Sequence, residues 1–305
     1  MKKTIISIIF FVVTLPIVAQ TASFVNLSPD TRAMGLAGAS LAIDAQAFAL
    51  YNNPAAMALS ENKLAAGASF GMWQPDASDN TLIGASGFGK IGKNLGIGLA
   101  GRYFTHQPYN ISSSQGALTG SYTPKEYAVD MGAAYRITEG LSLGVNARFI
   151  QSTIAESYQD NAFAADIALM YQIKNFSLAA AVTNLGNKMN FGYDDYPLPS
   201  LIKAGAAYNL RIAEMHRVSF SVEGDYHLTG DKGIMGGIGV EYAFKNIAFV
   251  RAGYHLGDEL KVIPSYASVG LGIQFLGISL NAAYLLAQKD SPLANSLSVG
   301  LGWAF

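Results

Sequence analysis

Cysteine is absent from the 305 residues, which excludes a disulfide framework and a lipid-bearing cysteine behind an export signal. Charge is scarce. Asp, Glu, Lys and Arg make up 13 % of the chain against roughly 25 % in an ordinary soluble domain, too little to coat a surface that faces only water. The few charges nearly cancel, at a net −1, so nothing points to nucleic acid or another polyanion as a partner. Long apolar runs are missing beyond residue 20. Each later run is broken within a few residues by Gly, Ser, Asn or a charge, which excludes membrane-spanning helices.

The one apolar run stands at the start. Lys2 and Lys3 precede an apolar stretch from Ile5 to Val13 that continues through Leu15, Ile17 and Val18 to Ala19. A basic start, an apolar centre and a small residue near the end predict a cleavable export signal over 1–20. A retained anchor fits less well, because the run meets Pro16, Gln20 and Thr21 before reaching the roughly 20 residues that span a bilayer.

From Leu64 onward apolar residues recur at every second position, which is the period of strands. About fourteen such segments follow, near 64–73, 80–89, 94–105, 124–137, 141–154, 161–173, 176–184, 200–210, 216–228, 233–244, 246–256, 265–275, 277–287 and 294–304. In the last, Leu297, Val299, Leu301, Trp303 and Phe305 share one face, and Ser296, Ser298, Gly300, Gly302 and Ala304 the other. One face suits lipid and the other a lumen. Lengths near the roughly 9–11 tilted residues that cross a bilayer predict an all-β, closed antiparallel transmembrane barrel over 63–305. Connections alternate between brief ones and longer ones, the longest near 106–123 and 185–199, a pattern for which a soluble β-sandwich has no reason. The long ones are expected outside the cell, and outer-membrane lipid is the first partner this implies.

Charges within strands fall on the lumen face: Arg102, Glu126, Asp130, Arg136, Arg148, Asp166, Lys203, Glu223, Asp225, Glu241 and Arg251. Two readings stand, a selectivity lining and a near-neutral ion-pair network that stiffens the wall. Large apolar side chains on that face are few, chiefly Phe104, Ile150 and Met170. Residues 21–62 are too many for a linker and too small and apolar for water. They are predicted to plug the periplasmic mouth of a barrel too wide for its own wall to fill.

Several spellings of chemistry fail on context. Gly96-Ile97-Gly98-Leu99-Ala100-Gly101 matches GxGxxG, but alternation continues through Arg102 to Thr105 where a dinucleotide site needs a helix. His106, His216, His227 and His255 lack metal-ligand spacing. Ser221 and His227, with Asp225 between them, would stand about 20 Å apart on a strand, beyond any catalytic triad. No catalytic residue, metal or cofactor is expected. The loop Phe191 to Pro199 offers Tyr193, Asp194, Asp195 and Tyr196 as contacts for a cation or a partner, or as part of the aromatic girdle at the lipid interface; the His106 to Tyr109 loop has the same two readings.

The plug segment carries a resemblance. Arg32-Ala33-Met34-Gly35-Leu36-Ala37-Gly38-Ala39, then Asp44, an alanine-rich run and Tyr51-Asn52-Asn53-Pro54-Ala55-Ala56, resembles over 28–59 the opening of the PorV/PorQ family within the FadL-like barrels. The plug of that wider group carries an Asn-Pro-Ala motif matched at Asn53, Pro54 and Ala55. The resemblance implies an outer-membrane protein of Bacteroidota-type bacteria that acts with type IX secretion, with a translocon or secreted cargo as protein partner. The alternative it implies is a FadL-like channel for a hydrophobic ligand. Glycine-rich strands would allow a local wall opening for it, for instance where Gly236, Gly237 and Gly239 cluster.

Overall fold

In the computed structural model the described residues are 22–112, 116–192, 194–230, 233–257 and 263–305. The segment 1–20 read as a signal, and Tyr193, lie outside them.

Among the described residues there are eighteen strands in chain order, the long ones built on period-two alternation. They are β1 (Leu64–Trp73), β2 (Asn80–Ile91), β3 (Leu95–Thr105), β4 (Tyr109–Ser112), β5 (Leu118–Tyr122), β6 (Lys125–Arg136), β7 (Leu141–Ala155), β8 (Tyr158–Ile173) and β9 (Phe176–Gly186). Then follow β10 (Met189–Asn190), β11 (Asp195–Tyr196), β12 (Leu201–Ala213), β13 (His216–His227), β14 (Ile234–Phe244), β15 (Ala248–Leu256), β16 (Tyr266–Phe275), β17 (Ile278–Leu286) and β18 (Leu297–Ala304). Fourteen close into an antiparallel barrel; β4–β5 and β10–β11 are small separate hairpins in the two longest connections. Closure pairs β1 with β18 from Ala65↔Ala304 to Met72↔Leu297, and Phe305 both accepts from and donates to the backbone of Leu64. The barrel thereby has no free edge, which is what hydrocarbon demands of a sheet.

Outward positions hold large apolar side chains such as Leu99, Met131, Phe163 and Leu271, each more than 60 % exposed. Lipid is the solvent for such a belt, since a water-facing patch that large would drive association. Two boundaries differ from the alternation pattern. The connection between β7 and β8 lies at the long-loop end yet is a tight turn at 156–157, because both strands run on past the wall and pair to Ala155↔Tyr158. β18 starts late because residues 291–295 turn back and bury Leu293.

Residues 22–62 lie inside the barrel as a 3-10 turn (Ser23–Asn26) and three short helices, α1 (Thr31–Gly35), α2 (Ala49–Asn52) and α3 (Ala56–Leu59). They are not confined to the mouth near the termini, as the sequence suggested. Phe24 reaches the long-loop half, where it stacks on Phe104 and packs with Ile150, Met189, Phe191 and Leu198. Leu50 and Met57 pack with Phe88, Ala134 and Met170 toward the other end. The deep insertion follows from anchors at both ends of the lumen.

Candidate functional site

The lumen is a fitted seat for the plug, and glycine makes the fit. Seen from the wall, a Cβ at Gly144 would strike the Ala55 amide and Pro54, one at Gly132 would strike Leu50, and one at Gly237 would lie 2.5 Å from the Ala37 carbonyl oxygen. Gly96 and Gly98, the first two glycines of the GxGxxG spelling, lie beneath Met57. Gly35 of the plug answers Gly270 of β16, whose Cα would be 3.2 Å from an added Cβ. Small residues on both surfaces let backbone meet backbone, and with it dispersion contact over the whole seat.

The plug motif is organised by its polar residues. Asp30 caps α1 by accepting from the Arg32 amide at 2.9 Å. Gly38, at φ +84°, reverses the chain after α1 and donates to Ala33 oxygen, a helix-ending turn that needs a residue without Cβ. Asn53 is 1 % exposed; its Nδ2 donates to Leu41 oxygen at 2.8 Å and its Oδ1 accepts from the Ala55 amide at 2.9 Å. The Pro54-Ala55 turn so formed is held to the wall by Ser142 Oγ, which donates to Ala55 oxygen at 2.8 Å. Replacing Asn53 with Ala leaves a buried carbonyl and a buried amide unpaired, at about 1–3 kcal/mol. Amide exchange at Ala55 is expected to accelerate about five- to hundredfold, and unchanged exchange would refute this role for the side chain.

The lumen charges form three clusters, and each ends on the plug. In the first, Arg148 Nε meets Asp130 at 2.6 Å and its Nη2 meets Asp166 at 3.0 Å, while Arg102 stands 3.8 Å from Asp130. Arg102 Nη1 donates to plug carbonyls of Val25 (2.7 Å) and Leu27 (3.0 Å). In the second, Lys203 lies 2.6 Å from Glu223 and 3.9 Å from Asp225, and Glu223 Oε2 accepts from the plug amides of Ser40 and Leu41 at 2.8 and 2.7 Å. In the third, Glu241, 1 % exposed, accepts from plug Arg32 at 2.9 Å, from Arg251 at 2.6 Å and from Arg217 at 3.4 Å. Arg32 also reaches Asp44 at 2.9 Å. Enclosure in the barrel raises the Asp44 carboxyl, and the Arg32 guanidinium more than offsets this, holding it at about 2.

Arg136 belongs to none of these clusters. It donates to Thr138 and Glu139 carbonyls at the rim, because its strand position lies at the barrel's end. Glu126 also stands apart, 3.0 Å from His106 at the long-loop end. At Gly236, Gly237 and Gly239, where the glycines would allow a local wall opening, the wall is closed. The ladders run unbroken through Glu223↔Gly237↔His255 and Ser221↔Gly239↔Gly253, and Gly237 and Gly239 lie under Ala37 and Leu36.

One wall irregularity is at Asn184 in β9, where register with β8 shifts between Ala165 and Ile167 and Asn184 takes φ +57°. Buried at 1 % exposure, Asn184 bonds Arg148, donates from its amide to Asp166 at 2.7 Å and from Nδ2 to plug Asn26 at 2.7 Å, and its carbonyl accepts from Ser200 Oγ at 2.7 Å. The sequence offered one signal for it, Asn-Leu-Gly closing a strand, which reads equally as a turn. Asn146, between Asp130 and Asp166, and Asn281, which accepts from Arg251, were missed because neutral polar residues on a lumen face carry no distinguishing pattern.

The loop 187–200 folds over the long-loop mouth. Tyr196 pairs with Met189 and leans on Phe191, 6.5 Å between rings, so it faces the buried cluster rather than a lipid girdle. Asp194 and Asp195 are exposed and cap local backbone and Asn190. Inside the barrel is a cavity of about 380 Å³ bounded by the plug turn at Gly38 and by residues of the wall, Trp73, Phe104, Asp225 and His255 among them.

The sequence model of a family described as "Type IX secretion system protein PorV" matches residues 15–230. Comparison with curated protein sequences returns no match. Among solved structures, the toluene transporter TbuX of Ralstonia pickettii is similar at TM-score 0.65 and 15 % identity, covering 92 % of this chain and 98 % of that one. The toluene transporter TodX of Pseudomonas putida gives 0.63 and 12 %, covering 91 % and 97 %. A FadL homologue of Pseudomonas aeruginosa gives 0.51 and 12 %, covering 91 % and 96 %. Identities this low speak for the fold alone.

Proposed function

Because the chain belongs to the PorV family of type IX secretion system proteins, we propose that it serves in the outer membrane as a closed docking or cargo-handling component of protein secretion. The observation that carries the reading, beside the family, is the fastening of the plug by three buried ion-pair clusters, which favours a plugged barrel over an open pore. Export by cleavage of segment 1–20 and a long-loop end facing outward belong to the same proposal. Contacts with a translocon or cargo then fall to the connections around β4–β5 and β10–β11, with Asp194 and Asp195 the exposed carboxylates of the second.

A mild-detergent pull-down of the tagged protein from its native membrane, with mass spectrometry of its companions, tests this. Co-purification of a large translocon barrel or secreted cargo is expected. The second reading, a channel for hydrophobic small molecules, is favoured by the cavity above the plug and by the FadL-like fold. Recovery of the barrel alone with bound lipid or hydrocarbon would overturn the first reading and support the second.

A further inference from the structure

The cavity above the plug contains chemistry that neither reading uses. Along β12 and β13 two carboxylates, Glu223 and Asp225, face one cation, Lys203, which Glu223 holds at 2.6 Å; Asp225 stands off at 3.9 Å. Its Oδ1 is buried and makes no hydrogen bond. Across the Gly38 turn, His255 on β15 is 8 % exposed, lines the same cavity and makes no hydrogen bond of normal geometry from either ring nitrogen. On the opposite wall the charges balance, Arg102 and Arg148 against Asp130 and Asp166. Among the described residues, Lys203 thus serves two carboxylates of the cavity wall, and Asp225 is the more distant of the two.

The rest of the lining suits the body of a ligand rather than its charge. Tyr266 stacks on His255 with ring centroids 5.0 Å apart, and with Trp73, Met34 and Ile263 it forms an apolar side wall. Aromatic faces attract cations through their quadrupole. A volume of about 380 Å³ falls in the range of small-molecule pockets, roughly 300–1,000 Å³. A carboxylate ligand would meet like charge at Asp225, and a pure hydrocarbon would leave buried acceptors unpaired, a cost that discriminates strongly between ligands.

We propose that this cavity binds a small amphipathic organic amine, its ammonium group at Asp225 and His255 and its apolar part against Tyr266 and Trp73. The inference stands whether the barrel docks partners or passes solutes. The chain has two tryptophans, so Trp303→Phe leaves Trp73 in the cavity as the sole fluorescence reporter. The full chain in detergent would be titrated with 2-phenylethylamine, ethylbenzene and phenylacetate, which share a body and differ in charge. The amine is expected to bind at least tenfold tighter than the other two, and Asp225→Asn to lose at least tenfold for the amine with ethylbenzene unaffected. Equal binding of ethylbenzene or phenylacetate, no binding of any probe, or full amine affinity in Asp225→Asn would overturn the proposal. The three-probe comparison on the unaltered cavity decides the matter even if the variant fails to fold.

Discussion

Glu241→Ala is expected to turn a closed barrel into one that conducts ions. Glu241 joins three guanidinium groups, Arg32 of the plug and Arg251 and Arg217 of the wall, at 2.9, 2.6 and 3.4 Å. Removing it leaves Arg32 and Arg251, both nearly fully buried, without their shared counter-ion and repelling each other. Breaking a buried ion pair from one side costs about 3–5 kcal/mol. At about 1.4 kcal/mol per factor of ten, the population with this part of the plug undocked rises by roughly two to three and a half powers of ten. Arg32→Met should do much less, because Glu241 keeps Arg251 and Arg217. Conductance in planar bilayers reads both variants, and trypsin cleavage at Arg32 reads Glu241→Ala in parallel. Silent, uncleaved Glu241→Ala would mean that the seat holds the plug without the ion cluster.

The second large effect comes from filling the seat. Gly144→Val places carbon on the Ala55 amide, and Gly237→Val places it on the Ala37 carbonyl. Backbone cannot move aside as a flexible side chain can, so each change is expected to cost at least the roughly 1–3 kcal/mol of ordinary overpacking. The two glycines touch different parts of the plug, so their costs should add. Gly224→Ala is the control: it faces outward with open space around the added Cβ and is expected to stay within about 0.5 kcal/mol. Proteolysis of the plug, set against the thermal midpoint of the barrel, separates the loss of plug docking from loss of the wall. If Gly144→Val and Gly224→Ala behaved alike, the lumen glycines would be incidental.

Both predictions concern contacts that lie far apart in the chain. Arg32 and Glu241 are 209 positions apart, and Ser40 and Glu223 are 183 apart. Reading the charges as lumen-facing was within reach, because the face of a strand residue is set by parity alone. Reading Arg136 as part of a network was not, because parity does not tell a mid-wall position from a rim one. The same limit explains Gly237. Glycine in a strand is compatible with a wall that opens and with a wall that carries something close, and only the Ala37 carbonyl above it decides.

The amino-acid sequence by itself determined the strands, the faces and the closed barrel. Alternation is a local property, and a chain with lipid on one side and a lumen on the other must write its two solvents into every second residue. It also marked the plug by its small residues and its Arg-Ala-Met-Gly and Asn-Pro-Ala spellings. The tertiary structure decided how deep the plug reaches, which wall charge meets which plug group, where the ladder bulges at Asn184 and what cavity is left above Gly38. The plug has no period to read. Its contacts exist only once fourteen strands have closed at a given radius and brought residues from opposite ends of the chain within hydrogen-bond reach.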